Sequence, residues 1–336
     1  MIANCMAPLL VCPACRTRTP DGARLDVRTL DRAGDLLVCA CGRSYPVIDG
    51  VPILLADPAA YLHREMTTVV ERDLAPEVAA LLVAGLPDDA TYARHLEHLS
   101  TYLDTHWGDR AAPPPDGPSP PFGAARLVEK IAALAHDRVE SAIELGCSTG
   151  RIVAELARGA DHVVGLDLRF GSVRRARHLL DGAPLPYARR ASGRHYTPAV
   201  ATAGDLTVPP ERRTLVCSNA LDPPVLPASF QRVVALNLLD SVAHPRQLLL
   251  VMDGLCAPGG ELVLSSPYAW QSEIMDEHER IGGADPAAEV TAILREGRDL
   301  GSRYEIVEET EVGWTLRRDA RSAATYRIHY LRAKKR

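Results

Sequence analysis

The feature that most constrains this chain is a glycine turn between a short apolar strand pattern and a helical pattern. Residues 143–151 read Ile-Glu-Leu-Gly-Cys-Ser-Thr-Gly-Arg. Glycine lets the backbone approach a ligand closely, and a helix that begins after such a turn offers it unpaired N–H groups. Asp167 ends the next strand pattern about twenty residues on, a spacing that suits a ribose diol. This order predicts a nucleotide-type ligand. The alternative is that the glycines only permit tight packing and Asp167 caps a helix.

The remaining pattern predicts the sheet around this turn. From residue 123 onward, apolar runs alternate with helical patterns, which favours parallel strands joined by right-handed helical crossovers. Only a loop separates the last two runs, so we expect them to form an antiparallel hairpin at one edge. The predicted strands cover residues 141–145, 162–166, 214–218, 232–237, 261–265, 304–312 and 325–332. We therefore predict an α/β fold with a Rossmann-like, doubly wound, mostly parallel seven-stranded sheet.

Changes in composition along the chain predict four segments. These are a small β module at residues 1–57, a helical lid or connector at 58–110, a proline-rich linker at 111–122 and the α/β domain at 123–336. In the helical segment, Val78, Leu81, Leu82 and Leu86 have the spacing of one helical face. His95 and His98 lie three residues apart beside Glu97 on an otherwise polar face, so we expect them to be solvated, and the alternative is a metal site.

Composition and charge limit the partners. The chain has 336 residues, of which 38 are basic and 43 acidic, for a formal net charge of −5. A mildly acidic chain is a poor general phosphate binder, so we do not expect a nucleic-acid partner. The longest apolar run, residues 78–86, is far shorter than the ~20 residues that span a bilayer. No cationic segment precedes the first apolar residues, so we expect a cytoplasmic protein without a membrane partner.

The cysteines are unevenly distributed. Of eight in the chain, five lie within the first 41 residues: Cys5, Cys12, Cys15, Cys39 and Cys41. A disulfide scaffold would be shorter, secreted and richer in cysteine, whereas clustering in a cytosolic chain indicates a metal site. Four thiolates from two knuckles suit tetrahedral Zn²⁺.

The glycine turn departs from the dinucleotide-binding pattern Gly-x-Gly-x-x-Gly. Glu144, before the first glycine, would repel a pyrophosphate. The turn instead resembles the first motif of class I S-adenosylmethionine (SAM) methyltransferases, acid-x-Gly-x-Gly-x-Gly. The resemblance implies that Glu144 reaches the methionyl end of SAM. Ser148 stands at the middle glycine, so we expect a loop of slightly different shape.

Three further motifs of that family follow in the same order. Residues 216–224 resemble the adenine-edge segment, residues 230–239 the fourth motif, and residues 255–264 the turn and fifth strand. The resemblance places Asn219 by the exocyclic amine of adenine and Asn237 at a strand end that faces cofactor and substrate. The cofactor-binding residues that it implies are Glu144, Gly146, Cys147, Ser148, Gly150, Arg151, Asp167, Leu168, Asn219, Ala220, Leu221 and Asn237.

A narrower resemblance concerns the acceptor. Residues 146–151, 237–242, 265–270 and 282–283 are similar to the methyltransferase domain attached to ovothiol synthases, which implies methylation of an imidazole nitrogen. We predict Asn237 and Tyr268 as catalytic residues, because ligands bind at the carboxyl ends of strands in open α/β sheets. The predicted substrate-binding residues are Ser241, Tyr268, Trp270, Tyr92 and Tyr102. The alternative for Tyr92 and Tyr102 is a stripe that docks the helical segment.

The cysteine-rich front resembles the small zinc-ribbon protein that activates several tRNA and translation-factor methyltransferases. The pairs Cys12-Pro-Ala-Cys15 and Cys39-Ala-Cys41, and the later Tyr-Pro-Val-Ile-Asp-Gly-Val-Pro run, carry that resemblance. It implies a structural zinc on Cys12, Cys15, Cys39 and Cys41. The second pair departs from the family in being Cys-x-Cys, and the alternative is a metal-free module held by packing.

Three functions fit these motifs. The leading hypothesis is SAM-dependent methyl transfer to a nitrogen, imidazole or amine, of a small metabolite. An alternative is a SAM-consuming cyclase, in which the α-amine of SAM attacks its own γ-carbon to give azetidine-2-carboxylate and methylthioadenosine. A second alternative, prompted by the ribbon, is a tRNA or protein methyltransferase. The sequence makes no prediction of the oligomeric state.

Overall fold

A computed structural model describes residues 9–15, 27–87, 89–110 and 125–336. The predicted linker at residues 111–122 and Cys5 lie outside the described residues. The N-terminal module contains a four-stranded antiparallel sheet in the order β1-β2-β3-β4. Its strands are β1 (Asp31–Ala33), β2 (Leu36–Val38), β3 (Ser44–Ile48) and β4 (Val51–Pro52). Its buried side chains include Leu37, Tyr45, Val47 and Val51.

Three helices follow the module: α1 (Pro58–Val70), α2 (Pro76–Ala84) and α3 (Thr91–Trp107). Helix α2 buries a different face from the one that carries Val78, Leu81 and Leu82. These three residues are 45%, 76% and 49% exposed, whereas Ala79 and Val83 are buried. Apolar residues occupy both faces of this short helix, and the tertiary contacts select the face with the small residue.

The α/β domain alternates helices and strands as predicted. Its first half contains α4 (Ala125–Ala133), β5 (Val139–Leu145), α5 (Arg151–Leu156), β6 (Ala160–Asp167), α6 (Phe170–Leu180), β7 (Leu185–Ser192), β8 (His195–Ala201) and β9 (Arg213–Cys217). Its second half contains β10 (Phe230–Leu236), α7 (Pro245–Leu255), β11 (Cys256–Ser266), α8 (Pro286–Glu296), β12 (Tyr304–Arg317) and β13 (Ala323–Lys335).

Seven of these strands form one sheet in the order β12-β13-β11-β10-β5-β6-β9. Strand β13 is antiparallel to both neighbours, and the other pairings are parallel. The predicted fold class and edge hairpin are therefore confirmed. Helices cover both faces: Ile131 and Phe170 belong to the core on one face, and Leu249 and Leu294 to the core on the other. The strand order reverses between β5 and β10, which places the ligand crevice at their carboxyl ends.

The hairpin β7–β8 was not predicted. It forms a separate two-stranded sheet between α6 and β9 and packs on α2 and α3. Arg189 on β7 is buried because Asp104 of α3 accepts a 2.8 Å hydrogen bond from its Nε. A buried arginine breaks the alternation of apolar and polar residues by which a strand is recognised.

The N-terminal module is joined to the edge of the large sheet. Ile53 forms a parallel bridge with Cys217 at the end of β9, and Leu54 N donates to Cys217 O at 2.9 Å. On the other side of the same loop, Leu10 pairs with Val225, and Val11 N donates to Pro224 O at 2.8 Å. The module therefore holds the loop after β9 from both ends.

No helix in the described ranges is both long and apolar enough to cross a membrane.

Candidate active site

A cavity of about 420 Å³ opens where the strand order reverses. Its size falls within the ~300–1,000 Å³ of small-molecule sites. We call one wall the floor, formed by Glu144, Gly146, Ser148, Asp167, Asn219, Ala220 and Asn237, and the facing wall the roof, formed by His98, Tyr102, His106 and Trp314. Arg151, Leu168 and Ser241 complete the predicted site residues that line the cavity.

The glycine turn gives the floor its shape. Gly146 and Gly150 have φ of +80° and +82°, a region that favours glycine. A Cβ on Gly146 would lie 3.0 Å from Leu238 Cδ1, and one on Gly150 would lie 2.9 Å from Ala176 Cβ. Both glycines are therefore required by conformation and by close packing. Helix α5 begins at the residue after Gly150.

Ser148, in the middle of the glycine turn, has a left-handed backbone. Its φ is +46°, which is strained for a residue with a Cβ. Ser148 N donates to Asp167 Oδ2 at 2.9 Å. The turn thus tolerates the substitution by anchoring it to the carboxylate at the end of β6.

Glu144 brings a buried carboxylate to the floor. Its side chain is 2% exposed, and Oε2 has no hydrogen-bond partner within the described part of the chain. Burial raises the pKa of Glu144 well above its usual value, and the negative charge of Asp167 raises it further. Since a buried polar atom without a partner is costly, this carboxylate suits a cationic ligand group.

Asp167 is already held by backbone donors. Oδ2 accepts from Ser148 N, and Oδ1 accepts from Arg169 N at 2.8 Å. Burial raises the pKa of Asp167, although these hydrogen bonds oppose the shift. A carboxylate has about four acceptor sites, so two remain for a diol.

The amides on the floor are oriented by neighbours. Asn219 Oδ1 accepts from Leu221 N at 2.9 Å, closing a short turn after β9. Asn237 has φ of +51°, and its Oδ1 accepts from Ser265 Oγ at 2.9 Å. The Asn237 amide nitrogen is consequently the end of that side chain left for a ligand.

Arg151 lines the cavity but is bound to protein groups. Its guanidinium donates to Asp109 at 2.6 and 2.9 Å, to Glu155 at 3.2 Å and to His106 O at 3.0 Å. It also lies 5.5 Å from the centre of the Trp107 ring. The side chain therefore fixes the end of α3 to the glycine turn, and its predicted role in cofactor binding stays a prediction.

Six predicted site residues lie outside the cavity lining: Cys147, Gly150, Leu221, Tyr92, Tyr268 and Trp270. Cys147 is fully buried, and Leu221 is 8% exposed within the core. Tyr92 packs with Ala79 and Val83 of α2, so it serves the docking stripe rather than a wall of the site. The side chains of Cys147 and Leu221 are packed in the core, so only their backbone atoms are available to contact a cofactor.

Tyr268 and Trp270 face a different set of groups. Their rings are 5.7 Å apart, and Tyr268 OH lies 2.9 Å from Nδ1 of the buried His329. His329 Nε2 lies 3.2 Å from Glu309 Oε1. The cavity does not support direct catalysis by Tyr268, because the hydroxyl is engaged away from the floor and roof.

The roof contains the predicted Tyr102 and three residues that sequence reasoning missed, His98, His106 and Trp314. His98, Tyr102 and His106 occupy positions i, i+4 and i+8 of α3, and Trp314 joins them from β12. The prediction that His98 is solvated was wrong, since burial lowers its pKa to about 4, with Arg169 adding to the effect. The four-residue spacing of aromatic rings was the signal available in the sequence.

Four cysteine sulfurs gather in the N-terminal module. Cys12, Cys15, Cys39 and Cys41 lie within 4.8 Å of one another. Sγ atoms are 3.9 Å apart for Cys12 and Cys41, and 3.6 Å apart for Cys15 and Cys39. Tetrahedral zinc with bonds of ~2.3 Å requires sulfurs about 3.8 Å apart. The Cys-x-Cys pair is therefore compatible with a four-thiolate zinc site.

Two family models match the chain. Residues 143–264 match the model described as "Methyltransferase domain", and residues 6–50 match the model described as "Trm112p-like protein". The first match contains the floor, and the second contains all four clustered cysteines. No curated protein gives a match to the chain.

Solved structures are similar at low sequence identity. N-methyltransferase NodS from Bradyrhizobium japonicum WM9, in complex with S-adenosyl-L-homocysteine, is 16% identical, with 71% of this chain and 96% of that chain covered and a TM-score of 0.44. Magnesium protoporphyrin IX methyltransferase (ChlM) from Synechocystis PCC 6803 with bound SAM is 13% identical, with 63% and 79% covered and a TM-score of 0.40. The putative RNA methyltransferase PH1948 from Pyrococcus horikoshii is 9% identical, with 77% and 98% covered and a TM-score of 0.43.

Proposed function

We propose that this chain, which carries the domain of SAM-dependent methyltransferases, transfers a methyl group to a nitrogen atom of a small metabolite. The observation that carries the proposal is the cavity whose floor holds Glu144, with its buried Oε2 lacking a hydrogen-bond partner among the described residues, next to the glycine turn. A cavity with this charge fits a ligand that bears an ammonium and a sulfonium group.

In this proposal, each floor residue contacts a different part of the cofactor. Glu144 meets the cationic methionyl end, Asp167 accepts from the ribose diol, and Asn219 with Ala220 borders the adenine. Asn237 offers its amide nitrogen at the end of β10, between cofactor and acceptor. When bound, SAM supplies a methyl carbon that is electrophilic because it is attached to a sulfonium. The protein has to hold a nucleophile in line at about 3–3.5 Å and keep water out.

The roof favours a small acceptor over a macromolecule. Asp104 of α3 is buried and accepts from Arg189 Nε and Arg317 Nη1, both at 2.8 Å, and from Tyr187 OH. These bonds tie α3 to the hairpins β7–β8 and β12–β13. A wall that is fixed at three points leaves room for a metabolite but little for a folded RNA or a protein loop.

The nitrogen acceptor is proposed from the chemistry of the roof, and the resemblance to the ovothiol-synthase domain stays a prediction. A neutral nitrogen nucleophile loses a proton after methylation, and neutral imidazoles in the cavity are suitable proton acceptors. Oxygen acceptors of high pKa would require a stronger base than an imidazole of low pKa.

The experiment is product analysis with the full chain. We expect S-adenosyl-L-homocysteine to bind with measurable heat, and SAM with an imidazole or amine acceptor to give an N-methylated product by mass spectrometry. Incubation with SAM alone distinguishes a cyclase from a methyltransferase, because only cyclisation gives methylthioadenosine without a second substrate. Absence of binding to S-adenosyl-L-homocysteine would contradict the cofactor assignment, and N-methylation of none of the acceptors would contradict the proposed reaction.

For the cysteine cluster, we propose a structural Zn²⁺ bound by Cys12, Cys15, Cys39 and Cys41. Four thiolates would fill the coordination sphere, so the ion would stabilise the module and take no part in catalysis. Thiolates must stay reduced to bind a metal, which agrees with the cytoplasmic location expected from the sequence.

A further inference from the structure

Helix α3 presents one unexplained polar group to the cavity. His106 lines the roof, and its Nδ1 is buried without a hydrogen-bond partner among the described residues. Because Nδ1 is enclosed by protein, Nε2 is the ring nitrogen that can meet a ligand. Tyr102, one turn earlier, has its ring centre 6.2 Å from that of His106.

The position of His106 is fixed relative to the glycine turn. Arg151, the first residue of α5, donates from Nη1 to His106 O at 3.0 Å. The next residue along α3, Trp107, donates from Nε1 to Thr149 O at 3.1 Å and to Thr149 Oγ1 at 3.2 Å. The turn that shapes the floor therefore also sets the distance between the floor and this imidazole.

The surroundings keep the ring neutral. Burial and the nearby Arg151 cation lower the pKa of His106 to about 4. Protonation would add a second N–H to a ring whose Nδ1 already lacks a partner. In the free enzyme near neutral pH, the imidazole consequently retains one nitrogen lone pair that can accept a hydrogen bond.

We propose that His106 Nε2 accepts a hydrogen bond from an N–H of the acceptor and then takes that proton when the acceptor is methylated. This inference rests on the proposed function. In an amine, the lone pair of the same nitrogen forms the new N–C bond, and in an imidazole the lone pair of the other ring nitrogen forms it. The electrons of the broken S–C bond stay on sulfur. The N–H proton moves to the imidazole of His106 and then to water, which leaves a neutral methylated group.

The test compares three variants of the full chain. Glutamine places an amide oxygen near the position of Nε2, so His106→Gln keeps a hydrogen-bond acceptor but removes a base. His106→Leu removes both. His95→Gln is the matched control, because His95 lies on the same helix outside the cavity lining and pairs with Glu71 at 3.4 Å. The probes are L-histidine, histamine, imidazole and primary amines, and kinetics use the one that the wild type methylates fastest.

We expect His106→Gln to lower kcat by about 100-fold or more, the usual contribution of general base catalysis, with KM changed less than about threefold. Calorimetry with the S-adenosyl-L-homocysteine complex should show acceptor binding preserved in His106→Gln and weakened about tenfold in His106→Leu, the size expected for one hydrogen bond. His95→Gln should leave all three quantities unchanged.

Two outcomes overturn the role of His106 while the proposed function stands. One is a kcat of His106→Gln equal to that of the wild type, and the other is an equal loss in His95→Gln. If the wild type binds S-adenosyl-L-homocysteine but methylates none of the nitrogen probes, the proposed function itself fails and the role of His106 with it.

Discussion

The floor and the roof of the cavity are built on different principles. Floor residues lie on turns at the ends of adjacent strands, and neighbours in sequence or in the sheet orient them, as Ser265 orients Asn237. Roof residues lie on α3 and β12, which are more than 200 residues apart and are linked through Asp104 and Arg317. The floor is thus a property of the fold, and the roof depends on a few buried ion pairs.

The largest expected effect is on the roof. Asp104→Asn leaves Arg189 and Arg317 buried without a counter-charge, so we expect a loss of about 3–5 kcal/mol in the free energy of unfolding. Urea unfolding measures it. The control is Asp205→Asn, which breaks an exposed ion pair with Arg110 and should change the free energy of unfolding far less. Equal losses in the two variants would show that Asp104 does not hold the roof.

The second effect concerns the charge of the floor. Glu144→Gln removes a charged hydrogen-bond acceptor worth ~1.5–3 kcal/mol, so we expect SAM affinity to fall about 10- to 100-fold by calorimetry. In the wild type the raised pKa of Glu144 means that the carboxylate forms only as pH rises. Affinity for the cationic cofactor should therefore increase with pH, and Glu144→Gln should flatten this dependence. A pH profile that is the same in both proteins would contradict the assignment of Glu144.

The third effect is that of removing zinc from the N-terminal module on ligand binding at the floor. We expect one zinc ion per chain by elemental analysis, and removal by a chelator should weaken S-adenosyl-L-homocysteine binding about tenfold, on the order of 1.4 kcal/mol. The reason is that the module holds the loop that carries Asn219 through Cys217 and Val225. Full affinity after complete loss of the metal would mean that the loop needs no such support.

The smallest effect is at Ser148. Glycine would relieve the left-handed strain of about 1 kcal/mol but would lose a similar amount through the entropy of the unfolded chain. We expect Ser148→Gly to change the free energy of unfolding by less than about 1 kcal/mol and cofactor affinity by less than about threefold. Ser148→Val should be clearly less stable, since a β-branched residue is poorly tolerated at this φ. Equal stability of the two variants would contradict the strained conformation.

The floor could largely be predicted from the sequence, whereas most of the roof could not. Glu144, Gly146 and Asp167 belong to a local order of strand, turn, helix and strand, so their shared placement at the cavity was predicted from this order and from the resemblance to the first methyltransferase motif. The sheet was predicted with its edge hairpin for the same reason. Strands β12 and β13 extend further than predicted, because the hairpin continues as far as Arg317 and its buried partner Asp104.

The roof could not be predicted because its signals depend on contacts distant in sequence. A histidine at position 98 resembles a solvated residue until Tyr102 and Trp314 are known to share its wall. From the sequence alone Arg189 would be assigned to a loop, because nothing nearby indicates that it pairs with Asp104. Tyr268 resembled a pocket residue because it follows β11, but its hydroxyl turns to His329 instead.

The attachment of the cysteine module through Leu10 and Ile53 has a consequence for the behaviour of the protein in dilute solution. Both partners of this contact belong to one polypeptide, so their effective concentration is set by the connecting chain and not by how much protein a cell contains. An activator that is a separate molecule dissociates on dilution. Here the support of the loop after β9 should persist at any protein concentration.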